Sequence, residues 1–389
     1  MRICLVYDCL FPYTVGGAER WYRNLGERLA ADGHDVTYIT MRQWERGQHG
    51  EVSGVRVVAV GPRMALYTRT GRRRVLQALV FGLGVLWHLL RRGGGYDVVH
   101  TASFPYFSLL AIAALRPLRG YRLVVDWHEV WSRSYWTEYL GRIGGWIGNA
   151  VQRLCLLIPQ RAFCFSRLHA RRLRESGVHG EVTVLEGEYA GSLEAREPMP
   201  AEPVVVFAGR HIPEKRVQSI VPAVRALRRT QPAARCVIFG DGPDRERVQR
   251  LVHDLGLDEV ISVPGFVDTS EIERALRTAA CMLLPSRREG YGMVVIEAAH
   301  AGTPSIVVRD QDNAATELVE EGVNGFIASS ASPEELARTM TRAMAGGMEL
   351  RRSTAAWFAA NARRLSLASS LERVSSVYAA GARERVSRG

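Results

Sequence analysis

Lysine is nearly missing from this 389-residue chain: of 51 basic side chains only Lys215 is a lysine. So strong a bias toward arginine points to a GC-rich coding sequence, which turns Lys into Arg wherever either serves. It marks Lys215 as a place where arginine does not serve. Paired cysteines are missing too. Cys4, Cys9, Cys155, Cys164, Cys236 and Cys281 form no C-x-x-C and mostly sit in apolar runs, so buried, reduced thiols are expected rather than zinc or disulfides. No basic leader, long apolar core or small-residue cleavage site precedes the strand-like run Ile3 to Tyr7, and a cytoplasmic location is expected. The uncharged run Val75 to Leu90 has sixteen residues, short of the about 20 that cross a bilayer.

Familiar catalytic signatures are also lacking. No G-x-x-x-x-G-K-[ST], no G-x-G-x-x-G after the first strand and no H-E-x-x-H occurs, which removes the main support for a P-loop NTPase, an NAD dehydrogenase or a zincin. Asp310-Gln-Asp312 imitates a metal-holding D-x-D but reads as a loop after a late strand, so neither metal nor other cofactor is expected.

What is present is ordinary globular material, 47% hydrophobic and 23% charged, in a length that suits two domains. Charge is uneven. Residues 1–190 hold 25 Arg against 15 acids, whereas residues 191–389 hold 26 Arg plus Lys against 25 acids. A basic first half attracts nucleic acid, anionic lipid or phosphorylated small molecules, and net charge alone does not choose between these and mere solubility.

Apolar runs of four to seven residues alternate with amphipathic stretches of ten to twenty, the pattern of a parallel sheet covered by helices. Strands are expected from Arg2 to Tyr7, Asp35 to Thr40, Val55 to Ala59, Val98 to His100, Leu123 to Asp126, Ala162 to Phe165 and Val182 to Leu185. Glycines, prolines and acids in 187–203 break the periodicity, which restarts with strands at Val204 to Ala208, Cys236 to Phe239, Ile261 to Val263, Cys281 to Leu284 and Ser305 to Val308. The expected architecture is α/β: a Rossmann-like domain over 1–186, a linker over 187–203, a second Rossmann-like domain over 204–348, and a helical tail over 349–389. Two doubly wound domains place two sets of strand C-termini across a cleft, where such sheets bind ligands.

The residues at those strand ends carry the chemistry. In Leu284-Pro-Ser-Arg-Arg-Glu289-Gly-Tyr-Gly-Met-Val-Val-Ile-Glu297 a buried strand ends, a loop carries Glu289, and a helix starts near Gly292 with Glu297 one turn inside. Gly290 and Gly292 clear bulk where backbone N–H groups and a helix N-terminus meet a phosphate. Alone, the spacing equally describes two surface glutamates beside a turn. Phe207-Ala-Gly-Arg210-His-Ile-Pro-Glu-Lys215 places two cations on a strand-to-helix loop, where they can neutralise a diphosphate without metal or simply be solvated. Gly16-Gly17 opens a helix after the first strand, as a turn or as a phosphate approach. His128 ends the strand Leu123 to Asp126 and can meet a substrate hydroxyl or be structural, while His100 is expected to pack.

In this order the pieces resemble glycosyltransferase family 4, retaining enzymes of the GT-B fold that use nucleotide-diphospho-sugar donors. The resemblance rests on Gly16-Gly17-x-Glu19, Gly209-Arg210-x4-Lys215, Gly240-Asp-Gly242-Pro243, Val263-Pro-Gly265-Phe266-Val267, Glu289-x7-Glu297 and Asn313-Ala-Ala-Thr-Glu317. It implies that Arg210 and Lys215 hold the donor diphosphate and Glu297 the ribose. Glu289 and the backbone of Gly290, Tyr291, Gly292 and Met293 would meet the sugar and phosphates. His128 would touch the donor sugar from the other domain, Gly17 would approach the diphosphate, and Gly240 to Pro243 with Val263 to Phe266 would line the base pocket. His300 stands where a small residue is common.

The partners expected are a nucleotide-sugar donor, a lipid-linked or otherwise anchored acceptor and an anionic membrane surface met by the basic first domain at the inner face of the cell membrane. Arg72-Arg-Arg74, Val75 to Leu90 and Arg91-Arg92 would lie on that surface, unless the run packs inward as a core helix. Nucleic acid is not expected. A non-hydrolysing sugar-nucleotide epimerase of the same fold and a non-catalytic sugar-nucleotide-binding protein are the competing readings. Starch and glycogen synthases begin with Lys-Thr-Gly-Gly, and Thr14-Val-Gly-Gly-Ala-Glu19 argues against them.

Overall fold

A computed structural model describes residues 1–68 and 73–386, with side chains through Ala379. The chain divides into two compact units: Met1–Glu186 with Ser370–Gly389, and Gly187–Ser369.

The first unit runs β1 (Arg2–Val6), α1 (Gly17–Ala31), β2 (Asp35–Thr40), β3 (Arg56–Ala59), α2 (Val75–Arg92), β4 (Val98–Ala102), α3 (Tyr106–Arg119), β5 (Arg122–Trp127), α4 (Arg133–Leu156), β6 (Arg161–Cys164), α5 (Arg167–Glu175) and β7 (Val182–Val184). Its strands form one parallel sheet in the order β3-β2-β1-β4-β5-β6-β7. Central β4 is buried at every position, as a parallel strand covered on both faces must be, whereas edge strand β3 has no fully buried residue. Ser132 and Ser166 cap α4 and α5 by accepting from the backbone N–H of Tyr135 and His169. α4 kinks at Gly141, where φ is 77°.

The second unit runs β8 (Glu202–Ala208), α6 (Ile220–Leu227), β9 (Arg235–Phe239), α7 (Arg245–Asp254), β10 (Ile261–Gly265), α8 (Thr269–Thr278), β11 (Ala279–Leu284), β12 (Arg288–Glu289), α9 (Met293–His300), β13 (Ser305–Val308), β14 (Asp312–Asn313), β15 (Gly325–Ala328), α10 (Pro333–Ala345) and α11 (Gly347–Leu365), and α12 (Leu367–Val386) follows. The main sheet has the order β10-β9-β8-β11-β13-β15, and β12 pairs with β14 beyond its edge of strand ends. Both sheets are the doubly wound, parallel α/β arrangement expected. The strand β15 escapes the periodicity because its four residues Gly-Phe-Ile-Ala are too short and too glycine-flanked to signal one.

The helices of the tail are shared out: α11 belongs to the second unit and α12, from Ser370, to the first. The division follows from burial. Arg351 of α11 is fully buried and donates to the carbonyls of Arg277, Ala279 and Ala301 and to Thr303 Oγ1, while Tyr378 of α12 is buried against His100. The stretch 187–201 has no helix or strand, yet Tyr189 exchanges backbone hydrogen bonds with Leu365 and Leu367 at the α11–α12 junction.

Candidate active site

In the second unit the strand C-termini form a side-chain-poor shelf. Gly209, Gly240 and Gly265 end or follow the adjacent strands β8, β9 and β10. Gly209 N donates to Phe239 O (3.2 Å) and Gly240 N to Gly265 O (2.8 Å), so the ladder steps across the tips. Gly240 has φ 111°, and a Cβ there would overlap the Gly209 carbonyl; a Cβ at Gly242 would press on His211 O. The motif Gly240-Asp-Gly242-Pro243 thus has a structural duty that sequence did not reveal: it lets one loop lie directly on the loop that carries Arg210. Arg210 itself is exposed and makes no hydrogen bond or ion pair with any described side chain. Beyond the shelf, Phe266 is exposed and Val263 half-buried, its carbonyl accepting from Arg245.

Across the next strand the charged residues meet. Lys215 Nζ pairs with Glu289 Oε1, and both side chains are largely buried. Ser286 donates to the same carboxylate oxygen at 2.7 Å. Lys215 ends a 3-10 turn, Pro213–Lys215, closed by Arg216 in a left-handed conformation (φ 48°) that few non-glycine residues adopt. Asp310 Oδ2 holds that turn by accepting from Arg216 at 3.1 Å. This is what Asp310-Gln-Asp312 does here: Asp310 is an ion-pair partner, and Asp312 lies in β14.

Gly292, φ 110°, caps α9 from the left-handed region and packs on Ala315, where a Cβ would be too close. Met293 is thereby the first helical residue, and the N-terminus of α9 opens beside Glu289, with Gly290 half-buried and Tyr291 buried between them. Buried Asn313 ties this loop to the next: its Nδ2 donates to Ser286 O and Val308 O, and its Oδ1 accepts from Ala315 N. Ser286 is a positioning residue that motif reading missed, and Asn313, quoted there only as the start of a motif, was given no role of its own. Glu297 is half-buried on α9, and its charge adds to burial in raising the Tyr189 phenol to about 12. His300 fills space between Tyr189 and Phe358.

In the first unit, Gly16 is extended and Gly17 begins α1. A Cβ at Gly17 would meet no described atom within 4 Å, so the fold does not demand glycine there and open space lies before the helix. His128 follows β5. Its ring stacks on Phe165 (4.6 Å between centroids, 4° between planes) and stands edge-on to Tyr22 of α1 at 6.4 Å. Its Nε2 is buried without a hydrogen-bond partner, an unsatisfied group that needs an explanation. His100 packs, as expected: fully buried, it bridges Asp126 Oδ1 (2.8 Å) and the Tyr378 hydroxyl (2.6 Å), while Asp126 also accepts from Trp21 Nε1 (2.8 Å).

Burial pushes the imidazole of His128 down to about 4, opposed in part by the Asp126 charge, and that of His169 down to about 3. His169 Nδ1 accepts from Val130 N, which also favours the neutral ring. Because the folded values lie below the unfolded one of about 6.5, the unfolded chain binds more protons as pH falls. Stability is therefore expected to decline below pH ~6.5, by at most about 1.4 kcal/mol per pH unit per histidine. Denaturant midpoints between pH 7.5 and 5, above the carboxylate range, test this; a flat profile there contradicts it.

The basic run before α2 does not act as one cluster. Arg73 is largely buried, donating to the fully buried Asp8 (2.9 Å), which also accepts from Gln77 (3.1 Å), and Arg72 lies outside the described residues. A carboxylate taken out of water needs such a counter-charge, so Arg73 is not available to a membrane.

The chain is similar in sequence and in fold to known glycosyltransferases. The family model for Glycosyltransferase Family 4 matches residues 15–187, and that for Glycosyl transferases group 1 matches 194–363. The chain is 26% identical over 364 residues to a glycogen synthase of Mycobacterium tuberculosis, covering 87% of this chain and 84% of that one. It is 31% identical over 142 residues to a GDP-mannose-dependent alpha-(1-6)-phosphatidylinositol monomannoside mannosyltransferase of the same species, 35% of this chain and 36% of that one. Among solved structures, a sucrose-phosphate synthase from Thermosynechococcus elongatus superposes with TM-score 0.81 at 18% identity over the full length of both chains. Anabaena HepE in complex with UDP-glucose superposes with TM-score 0.72 at 17% identity over 98% of this chain and 100% of that one. With two family models that together span most of its length, and with two doubly wound units of this topology, the chain belongs to the family 4 glycosyltransferases of the GT-B fold.

Proposed function

We propose that this glycosyltransferase moves a sugar from a nucleotide-diphospho-sugar to a hydroxyl of a lipid-linked or otherwise anchored acceptor, with retention at the anomeric carbon. The observation that carries the reading is the meeting of the Lys215–Glu289 pair with the N-terminus of α9, on strand tips next to the unpaired Arg210. Breaking the bond between the anomeric carbon and phosphate builds negative charge on the departing diphosphate. Arg210, Lys215 and the first N–H groups of α9 stabilise that charge, which is the main catalytic contribution. Glu297 takes the ribose, and the shelf of Gly209, Gly240 and Gly242 with Val263 and Phe266 leaves room for the base. His128, neutral near pH 7 with a buried Nε2 to satisfy, meets a hydroxyl of the donor sugar. The acceptor oxygen attacks from the face the nucleotide leaves, and the leaving phosphate takes its proton, so no protein base is required.

The solved Anabaena relative holds UDP-glucose and one of the mycobacterial relatives is named for a GDP-mannose donor and a phosphatidylinositol acceptor, which supports the donor class and an acceptor of lipid kind. The enzyme works in the cytoplasm, at the inner face of the membrane.

A panel of nucleotide sugars, read by nucleotide diphosphate release with and without acceptor, tests the reading, and the anomeric signal of the product tests retention. Donor altered in its sugar ring without acceptor would instead mark an epimerase. Because protein cations supply the positive charge, turnover is expected to be unchanged in excess EDTA. Loss of turnover in EDTA that Mg²⁺ or Mn²⁺ restores would overturn metal independence.

A further inference from the structure

The helix layer on one side of the first unit carries unusual apolar surface. The crossovers β3 to β4, β4 to β5 and β5 to β6 all advance the same way across the sheet, so right-handed connections place α2, α3 and α4 on one face. Their inner sides share a core that includes Phe81, Ile112 and Leu156. On the outside, α2 shows Leu76, Leu79, Leu83, Trp87 and Leu90, spaced by three and four residues into a single stripe. Leu83 is 65% and Trp87 56% exposed. α4 shows a second stripe, which starts just past the Gly141 kink: Ile143, Trp146, Ile147 and Leu154, continued by Leu157 at its C-cap, with Ile143 79% and Trp146 66% exposed. Leu118, at the end of α3, is exposed as well.

Charge on the parts of this layer that carry the stripes has one sign. No Asp or Glu occurs in α2, in α3 or in α4 beyond the kink, whereas Arg91, Arg92, Arg142 and Arg153 are exposed and make no ion pair with described residues. The Arg91 guanidinium lies 4.1 Å above the Trp87 ring, so a cation sits at the top of the apolar stripe.

We propose that this face docks on an anionic lipid bilayer, with both helices lying along the surface and Trp87 and Trp146 seated at headgroup level. Exposed leucine and isoleucine between them enter the acyl boundary, and the arginines meet lipid phosphates. By length and composition the helical stretch Val75–Gly95, longer than the uncharged run that ends at Leu90, would suffice to cross a membrane, but Phe81, Val85 and Leu89 on the other side of α2 are locked into the core, and only a lying helix keeps both faces satisfied. Cations without carboxylates beside two tryptophan-bearing apolar stripes match the negative surface potential of an anionic bilayer and the seat of tryptophan at its interface. The proposal rests on the reading of an anchored acceptor and names the surface that brings the enzyme to it.

Flotation of the full chain with vesicles of phosphatidylcholine alone, and of an equal mixture with phosphatidylglycerol, tests it without donor or acceptor. Recovery is expected on the anionic vesicles, with a blue shift of tryptophan fluorescence and release by salt. Trp87→Ser with Trp146→Ser should lower vesicle partitioning by about tenfold or more, and Arg91→Ser with Arg92→Ser and Arg142→Ser should abolish the preference for anionic lipid. Equal recovery on both vesicles, unchanged binding by the tryptophan variant, or a lipid-free dimer that protects both tryptophans overturns the proposal. Nucleotide diphosphate release in lipid-free solution by the same variants shows that they fold. Docking accompanied by transfer to a soluble acceptor alone would defeat the anchored acceptor and leave the docking surface standing.

Discussion

Lys215→Ala is expected to lower turnover by roughly a hundredfold or more at saturating donor, with the fold intact. The loss of one charge-assisted phosphate contact that strengthens in the transition state costs about 3 kcal/mol, which is that factor. The structure adds a second penalty. Glu289 is largely buried, and its Oε1 has only Lys215 and the Ser286 hydroxyl as partners among the contacts resolved at that oxygen. Without the ammonium, its carboxylate would repel the diphosphate it should help to receive. Arg210→Ala is expected to cost a similar contact without that repulsion, because Arg210 is exposed and unpaired. Lys215→Arg should not rescue: a planar, two-pronged guanidinium does not fit a single carboxylate oxygen already shared with Ser286, whereas a compact ammonium does. Circular dichroism and thermal melting establish folding, and nucleotide diphosphate release gives the rate. Near-normal activity of Lys215→Ala at saturating donor would remove Lys215 from the leaving-group role.

Gly240→Ala is expected to damage stability and activity together. The residue holds φ 111°, a region that costs an L-residue on the order of 1–3 kcal/mol. The added Cβ would also run into the Gly209 carbonyl, which is backbone and has no rotamer to yield. Gly209 must then move, and with it Arg210, the next residue. A displacement of about 1 Å at a binding group can cost a hundredfold in rate. A lower melting temperature accompanied by a raised KM for donor and a reduced kcat is therefore expected. Ala at Gly17 serves as the contrast: its Cβ enters open space, so it should leave the melting temperature unchanged. A Gly240→Ala protein with wild-type stability and donor KM would show that the two loops do not lean on each other as described.

Much of the candidate site's placement was legible because doubly wound sheets gather ligand-binding loops at strand ends, and strand ends are visible in sequence to within a residue or two. Arg210, Lys215, Glu289 and Glu297 were placed from their distance to an apolar run, and each sits after the strand expected. The contacts of those residues were not legible. Nothing local couples Lys215 to Glu289, Asp310 to Arg216, or Asn313 to Ser286, because each pair joins loops that follow different strands and meet only when β8, β11 and β13 lie side by side. Arg73 shows the opposite failure. In sequence it is the centre of a basic run; in the fold it serves Asp8, whose burial no composition argument signals.

The sequence by itself determined two parallel α/β units, the course of their main strands other than β15 to within one or two residues at the ends, and the loops that carry Arg210, Lys215 and Glu289. Period and apolar run length are local properties, and parallel strands buried on both faces display them without help from the rest of the chain. Only the tertiary structure decided how the tail is shared between the units, which glycines answer to a neighbouring backbone, that the imidazole of His128 rests on Phe165 with a buried nitrogen left over, and that α4 adds a second exposed stripe to that of α2. Each depends on which distant segment supplies the neighbour. A helix with apolar residues on two sides reads the same whether one side is covered or both, and burial is settled by the elements that pack against it.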